Sequence, residues 1–141
     1  MAESLRFHLA QLNPTVGDIP GNKAKVIRAY NGAVDDGSDC VIFTELCTVG
    51  YPPQDLRHQD QFIEDNVDAL YDIAEETGKV PALVGFVDER ENQIYNAVAV
   101  LYNGGVHEIV HKRLLPTYDV FDEARYFACP TEVKLPQVPV G

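Results

Sequence analysis

Cys40-Val41-Ile42-Phe43-Thr44-Glu45-Leu46-Cys47-Thr48-Val49-Gly50-Tyr51-Pro52-Pro53-Gln54-Asp55 is the stretch on which the fold turns. Its β-branched and aromatic start has strand composition, and Gly50 with the Pro52-Pro53 pair cannot continue a strand. The single carboxylate, Glu45, therefore falls near the C-terminal end of a buried strand, where open α/β sheets hold their ligands. Burial there would strip water from the carboxylate and raise its pKa toward the range of a general base. From the local residues alone, a solvated strand-end glutamate is the more ordinary reading.

Working outward toward the N-terminus, Leu5, Phe7 and Leu9 alternate with Arg6 and His8, which predicts a first strand over residues 5–12. Residues 17–21 read as loop. A helix over residues 22–36 follows, with Asn22 as its cap, Val26, Ile27, Tyr30, Ala33 and Val34 at helical spacing, and Gly37 as its stop. The opening is thus β-α-β. Toward the C-terminus, residues 61–77 predict a second helix and the apolar run 81–87 a third strand, buried on both faces. Residues 88–93 read as a polar turn. Strands over 94–102 and 106–114 are joined by Asn103-Gly104-Gly105, a hairpin signal. Residues 115–141 show little periodicity. No repeat or linker divides the chain, so residues 1–141 form one unit.

The 141 residues suit one domain with a real core. Acidic residues number 22 against 11 Lys and Arg, a formal charge of -11, which argues against general binding to nucleic acid or anionic membranes. No apolar run approaches the length of a membrane span and the first residues lack a signal-peptide pattern. Three scattered cysteines make no disulfide framework, and a reduced, cytoplasmic setting is expected.

His107-Glu108-Ile109-Val110-His111 matches the zinc-protease pattern H-E-x-x-H, but that chemistry needs a helix to bring both imidazoles to one ion. Here the neighbours alternate as a strand, where residues four apart are separated by about 13 Å. Two exposed strand histidines and no metal are expected. Lys112 follows directly. With Glu45 it offers the base and the fixed cation that nucleophilic amide hydrolysis requires, although a lone Lys is ordinarily a surface residue. The thiol is harder to place. Cys40 has strand parity opposite to Glu45 and should point to the other face, Cys47 should lie about 6.5 Å along the same face, and Cys129 sits in the irregular tail. All three read better as apolar fillers or incidental thiols than as nucleophiles.

Four groups of residues carry a family resemblance, the first three being Leu9 to Asp18 with Gly21-Asn22, Val41 to Leu46 with Gly50-Tyr51-Pro52-Pro53, and Tyr95-Asn96-Ala97. The run from His111 to Glu123, with Arg125-Tyr126-Phe127, is the most specific. Together they resemble the N-terminal part of the nitrilase-like (carbon-nitrogen hydrolase) glutaminase domain of glutamine-dependent NAD synthetase. The resemblance implies an α/β fold: a partial α-β-β-α sandwich, truncated before the nucleophile-bearing strand. It implies a Glu-Lys-Cys triad with Glu45 as base and Lys112 as oxyanion-stabilising cation. Tyr51 and Tyr118 would help hold glutamine, and Glu123 would orient Lys112. The family's Cys lies further past its Lys than this chain reaches, and the synthetase domain, with its ATP and Mg, is absent.

Thr44 stands where Pro is usual, and Ala128-Cys129-Pro130 where an acidic or glycine-containing turn is common. The implied function is glutamine hydrolysis supplying ammonia for NAD synthesis, with no cofactor in the glutaminase part. Another carbon-nitrogen hydrolase activity, or an inactive fragment or binding module, remains open. A homo-oligomer is expected, because an incomplete sandwich leaves an apolar face without a partner.

Overall fold

The computed structural model describes residues 3–53, 59–115, 123–131 and 135–140. Tyr118 lies outside them. The elements in order are β1 (Phe7–Ala10), α1 (Ile19–Asp35), β2 (Cys40–Phe43), α2 (Asp60–Glu75), β3 (Ala82–Arg90), β4 (Gln93–Tyr102), β5 (Gly105–His111) and α3 (Glu123–Tyr126). The strands form one sheet in the order β1-β2-β3-β4-β5. β1-β2 and β2-β3 pair parallel, whereas β3-β4 and β4-β5 pair antiparallel.

Sheet order follows chain order, so two right-handed crossovers that step in one direction put both helices on one face. Val26, Tyr30 and Ala33 of α1 and Leu70, Ile73 and Ala74 of α2 share a core with Val41, Phe43, Val84, Phe86, Ala97 and Ala99. Each large side chain withdrawn here contributes about 1.5–3 kcal/mol. Tyr30 adds a polar tie, donating its hydroxyl to the Val80 carbonyl at 2.8 Å. The opposite face of β1 is bare: Phe7 is 51% and Leu9 66% exposed. The apolar side of the first strand therefore points away from the helices.

Several boundaries differ from the sequence expectation. α1 begins three residues before Asn22, because Asp18 caps it by accepting from the Gly21 N–H at 3.1 Å and Pro20 is tolerated in a first turn. Asn22 is instead buried inside the helix; its amide donates to the carbonyls of Thr15 and Thr48. β3 runs through the expected polar turn to Arg90. The reversal takes only Glu91 and Asn92, both in the left-handed region at φ 50° and 62°, as a two-residue hairpin requires. Asn103-Gly104 turns the second hairpin as expected.

Residues 107–111 lie in β5, so the helix that an H-E-x-x-H zinc site needs is not formed. Of the two histidines only His107 is exposed. His111 stacks on Tyr95 with ring centroids 4.2 Å apart and pairs with Asp88 at 2.7 Å.

Candidate active site

β2, β3 and β5 run in the same direction, so their C-terminal ends share one edge of the sheet with the start of β4. β2 and β5 are nonetheless three strand spacings apart, about 14 Å. Glu45, two residues past β2, crosses that gap because the chain turns over β3. Leu46 takes a left-handed φ of 49°, and its N–H and the Thr44 carbonyl lie directly above Gly85. A Cβ on Gly85 would stand 2.4 Å from Leu46 N, so only glycine admits this crossing. Gly50, at φ 82°, closes the turn equally tightly against the backbone of Val16.

The turn is held from both helices. Asn66 of α2 accepts from the Thr48 hydroxyl at 2.7 Å and from the Val87 N–H at 3.1 Å, and donates to the Val87 carbonyl at 2.5 Å. Asn22 of α1 donates to the Thr48 carbonyl at 3.0 Å. These groups are buried, and leaving any one unpaired would cost about 1–3 kcal/mol. Leu46 and Val49 anchor the same turn in a small apolar cluster with Val87, Phe62 and Phe127.

So held, Glu45 accepts from the Lys112 ammonium at 2.6 Å. Lys112 follows β5, and its own N–H continues the ladder by donating to the Asn96 carbonyl at 2.7 Å. The same ammonium donates to Glu123 Oε1 at 3.1 Å, and the Tyr51 hydroxyl donates to that oxygen at 2.8 Å. Glu123 is buried in α3, a helix that the sequence reading did not anticipate. Burial alone would lower the Lys112 pKa; hydrogen bonds and charges from Glu45 and Glu123 outweigh it and hold the pKa above the ordinary lysine value. Lys112 is consequently a permanent cation near neutral pH.

Four of the five expected site residues therefore form one connected cluster: Glu45, Lys112, Glu123 and Tyr51. Asn96 was missed as a site residue. Its buried amide donates to Glu45 Oε1 at 2.5 Å. The available signal was its place in the hairpin opposite Lys112, within Tyr95-Asn96-Ala97. Glu45, Asn96 and Lys112 line a cavity of ≈ 270 Å³ with Thr44, Gly85, Val98 and Val110, opening on the sheet face away from the helices. A larger groove of ≈ 620 Å³ is lined by Arg90, Tyr95, His107, Glu108 and His111. Thr44 Oγ1 and Glu123 Oε2 are buried without a hydrogen-bond partner among the described residues.

The cysteines do not complete the set. Cys47 is in the turn rather than a strand, so face alternation does not apply to it. It is buried, with its thiol directed at the Gly85 carbonyl at 3.5 Å, and burial pushes its pKa up to about 12. Cys40 is buried and likewise raised, while Cys129 is exposed and directed at the Arg113 carbonyl. None of the three hydrogen-bonds Glu45 or Lys112. Among the described residues no group of three or more His, Cys, Asp or Glu is placed to hold a metal ion, and no helix is long and apolar enough to cross a membrane.

The carbon-nitrogen hydrolase family profile matches residues 8–134. The chain belongs to the carbon-nitrogen hydrolase family. It is 44% identical over 142 residues to the glutamine-dependent NAD(+) synthetase of Thermotoga maritima, covering 97% of this chain and 24% of that protein. Among solved structures it is similar to the glutamine-dependent NAD+ synthetase of Acinetobacter baumannii in complex with adenosine diphosphate. That likeness has a TM-score of 0.86 and 35% identity over 92% of this chain and 25% of the other. An amidase from Nesterenkonia sp. shares the fold at a TM-score of 0.72 and 20% identity, over 91% of this chain and 49% of the amidase. The chain spans about a quarter of the length of the curated relatives it matches. The helix layer and five-stranded sheet are thus one α layer and one β layer of a nitrilase-like fold.

Proposed function

We propose that these residues carry the base and the cation of a site that hydrolyses the side-chain amide of glutamine. The observation that carries this reading is a permanently charged Lys112 held at 2.6 Å from Glu45 and 3.1 Å from Glu123 beside one cavity. Glu45 takes the proton of an attacking thiol and returns it to the departing nitrogen as ammonia leaves. Lys112 stabilises the tetrahedral oxyanion, for which a fixed, pre-oriented cation is suited. Glu123 and Tyr51 keep that cation in place. Water then attacks the thioester, with Glu45 as base, releasing glutamate and regenerating the thiol. The thiol itself is none of Cys40, Cys47 and Cys129, and comes from sequence outside these residues.

Glutamine as the amide, and delivery of ammonia to ATP- and Mg-dependent NAD synthesis elsewhere in a longer protein, are supported by the similarity to glutamine-dependent NAD synthetases. Contact of Tyr51 and Tyr118 with glutamine, and a homo-oligomeric assembly, are parts of the same proposal. The test is glutamine-dependent ammonia release by the full-length protein, unaltered and with Glu45→Gln or Lys112→Met. Losses of about 10²–10⁴ for the base and 10²–10³ for the cation are expected. Activity within a fewfold of the unaltered protein in Glu45→Gln would remove Glu45 from the reaction.

A further inference from the structure

We propose that Asn96 is a positioning residue that gives the two oxygens of Glu45 different tasks, with Oε1 fixed as an anchor and Oε2 left as the proton acceptor. The proposal rests on Glu45 being the base. Both hydrogen bonds that Glu45 accepts among the described residues, from Asn96 Nδ2 at 2.5 Å and from Lys112 Nζ at 2.6 Å, end on Oε1. Two donors occupy that oxygen's lone pairs, so an incoming proton goes to Oε2. The amide must present its nitrogen, since an ionised carboxylate only accepts.

Asn96 also fixes the other partner, because its main-chain carbonyl accepts from the Lys112 N–H at 2.7 Å. One residue of β4, buried and paired with Val87, thereby ties the base through its side chain and the cation through its backbone. Replacing the side chain alone separates the two ties. The ladder bond to Lys112 survives, and only the anchor on Glu45 is lost.

The experiment measures kcat, KM and the pH dependence of kcat/KM for glutamine-dependent ammonia release by the full-length protein, unaltered and with Asn96→Ala or Asn96→Asp. The charged group facing Glu45 is Lys112, backed by Glu123 and the Tyr51 hydroxyl, and all three are unchanged in these variants. Expected are a fall in kcat of about 10–100-fold, as for a reacting group displaced by a fraction of an ångström to one ångström, and a KM within about twofold. The acid limb should move to higher pH, because a donor to the charged form is lost. It should move further in Asn96→Asp, which adds a like charge.

A raised KM with kcat and the acid limb unchanged would make Asn96 a substrate contact and overturn the proposal. Unchanged kinetics in both variants would overturn it too. Asn96→Asp has the shape of the native residue and reads the result if Asn96→Ala does not fold. Glu45→Gln, measured alongside, separates the two ideas. Retained activity there defeats the base assignment itself, whereas lost activity with unaffected Asn96 variants defeats only the role of Asn96.

Discussion

Gly85→Ala tests whether the crossing of β3 by the Glu45 turn sets the site. The added Cβ would lie 2.4 Å from Leu46 N, 2.7 Å from the Thr44 oxygen and 3.0 Å from the Glu45 carbonyl carbon. All three atoms are backbone, so no side chain can swing aside. Ordinary contact begins at 3.4 Å, and the turn must lift by about 1 Å to accept the methyl group. Gly85 pairs with Val98 inside a regular antiparallel ladder, a backbone setting alanine adopts without strain, so the effect is purely steric. Overpacking of this kind costs about 1–3 kcal/mol, and a 1 Å displacement of a reacting group costs about 10² in rate. Urea unfolding of the 141-residue chain reads the first quantity, and kcat for ammonia release by the full-length protein reads the second. Gly32→Ala in α1 is the control: nothing lies within 4 Å of its added Cβ, and it should gain about 0.5–1 kcal/mol. A Gly85→Ala protein with unchanged stability and unchanged kcat would refute the steric account of how Glu45 is placed.

Cys47 makes the fold sensitive to alkali. Its folded pKa of about 12 lies above the ordinary 9.0, so its contribution is complete below pH 9 and is lost as pH rises toward 12, by about 1.4 kcal/mol per unit. Cys47→Ala should lose less stability than the unaltered chain between pH 7.5 and 10, and parallel urea-unfolding losses would show that the thiol ionises alike in the folded and unfolded states, refuting the effect of burial. Asn66→Ala removes three buried hydrogen bonds and strands the Val87 amide and carbonyl; about 3 kcal/mol of lost stability is expected, and a loss below about 1 kcal/mol would contradict the network. The 141 residues alone should release no ammonia from glutamine, since no thiol here meets the base. Sustained release that disappears in Glu45→Ala would show otherwise. Leu9→Lys should reduce self-association of this chain by charging its bare face, measured by sedimentation against concentration; unchanged association would place the contact elsewhere.

Local signals carried much of the fold. Strand composition around Val41, the periodicity of Val26, Tyr30 and Ala33, and Asn103-Gly104 each depend on a few neighbouring residues, and each element formed. The errors arose where a distant partner decided. Asn22 resembled a cap locally, but its amide is used by Thr15 and by Thr48, which is 26 positions away. Cys47 was given a strand's alternation because nothing near it announces the left-handed Leu46, whose conformation is imposed by close packing on Gly85. His111 resembled a surface residue, yet Asp88 and Tyr95 hold it on the helix side of the sheet, and that fixes β5 immediately before Lys112.

The site shows the same division. The residue types of Glu45 and Lys112 suggested base and cation, but 67 positions separate them, and nothing local says that they meet. What joins them is the sheet's order together with one glycine: β2 and β5 end at the same edge, and the chain can cross β3 only above Gly85. The charges support the proposed roles. Two carboxylates flank one ammonium, so the lysine keeps its proton and cannot serve as the base. Glu123 is buried, with its paired oxygen already taken by Lys112 and Tyr51. Glu45 is half-exposed and lines the cavity with one oxygen unengaged among the described residues, which supports the proposal that it is the group of the three that exchanges a proton with a substrate.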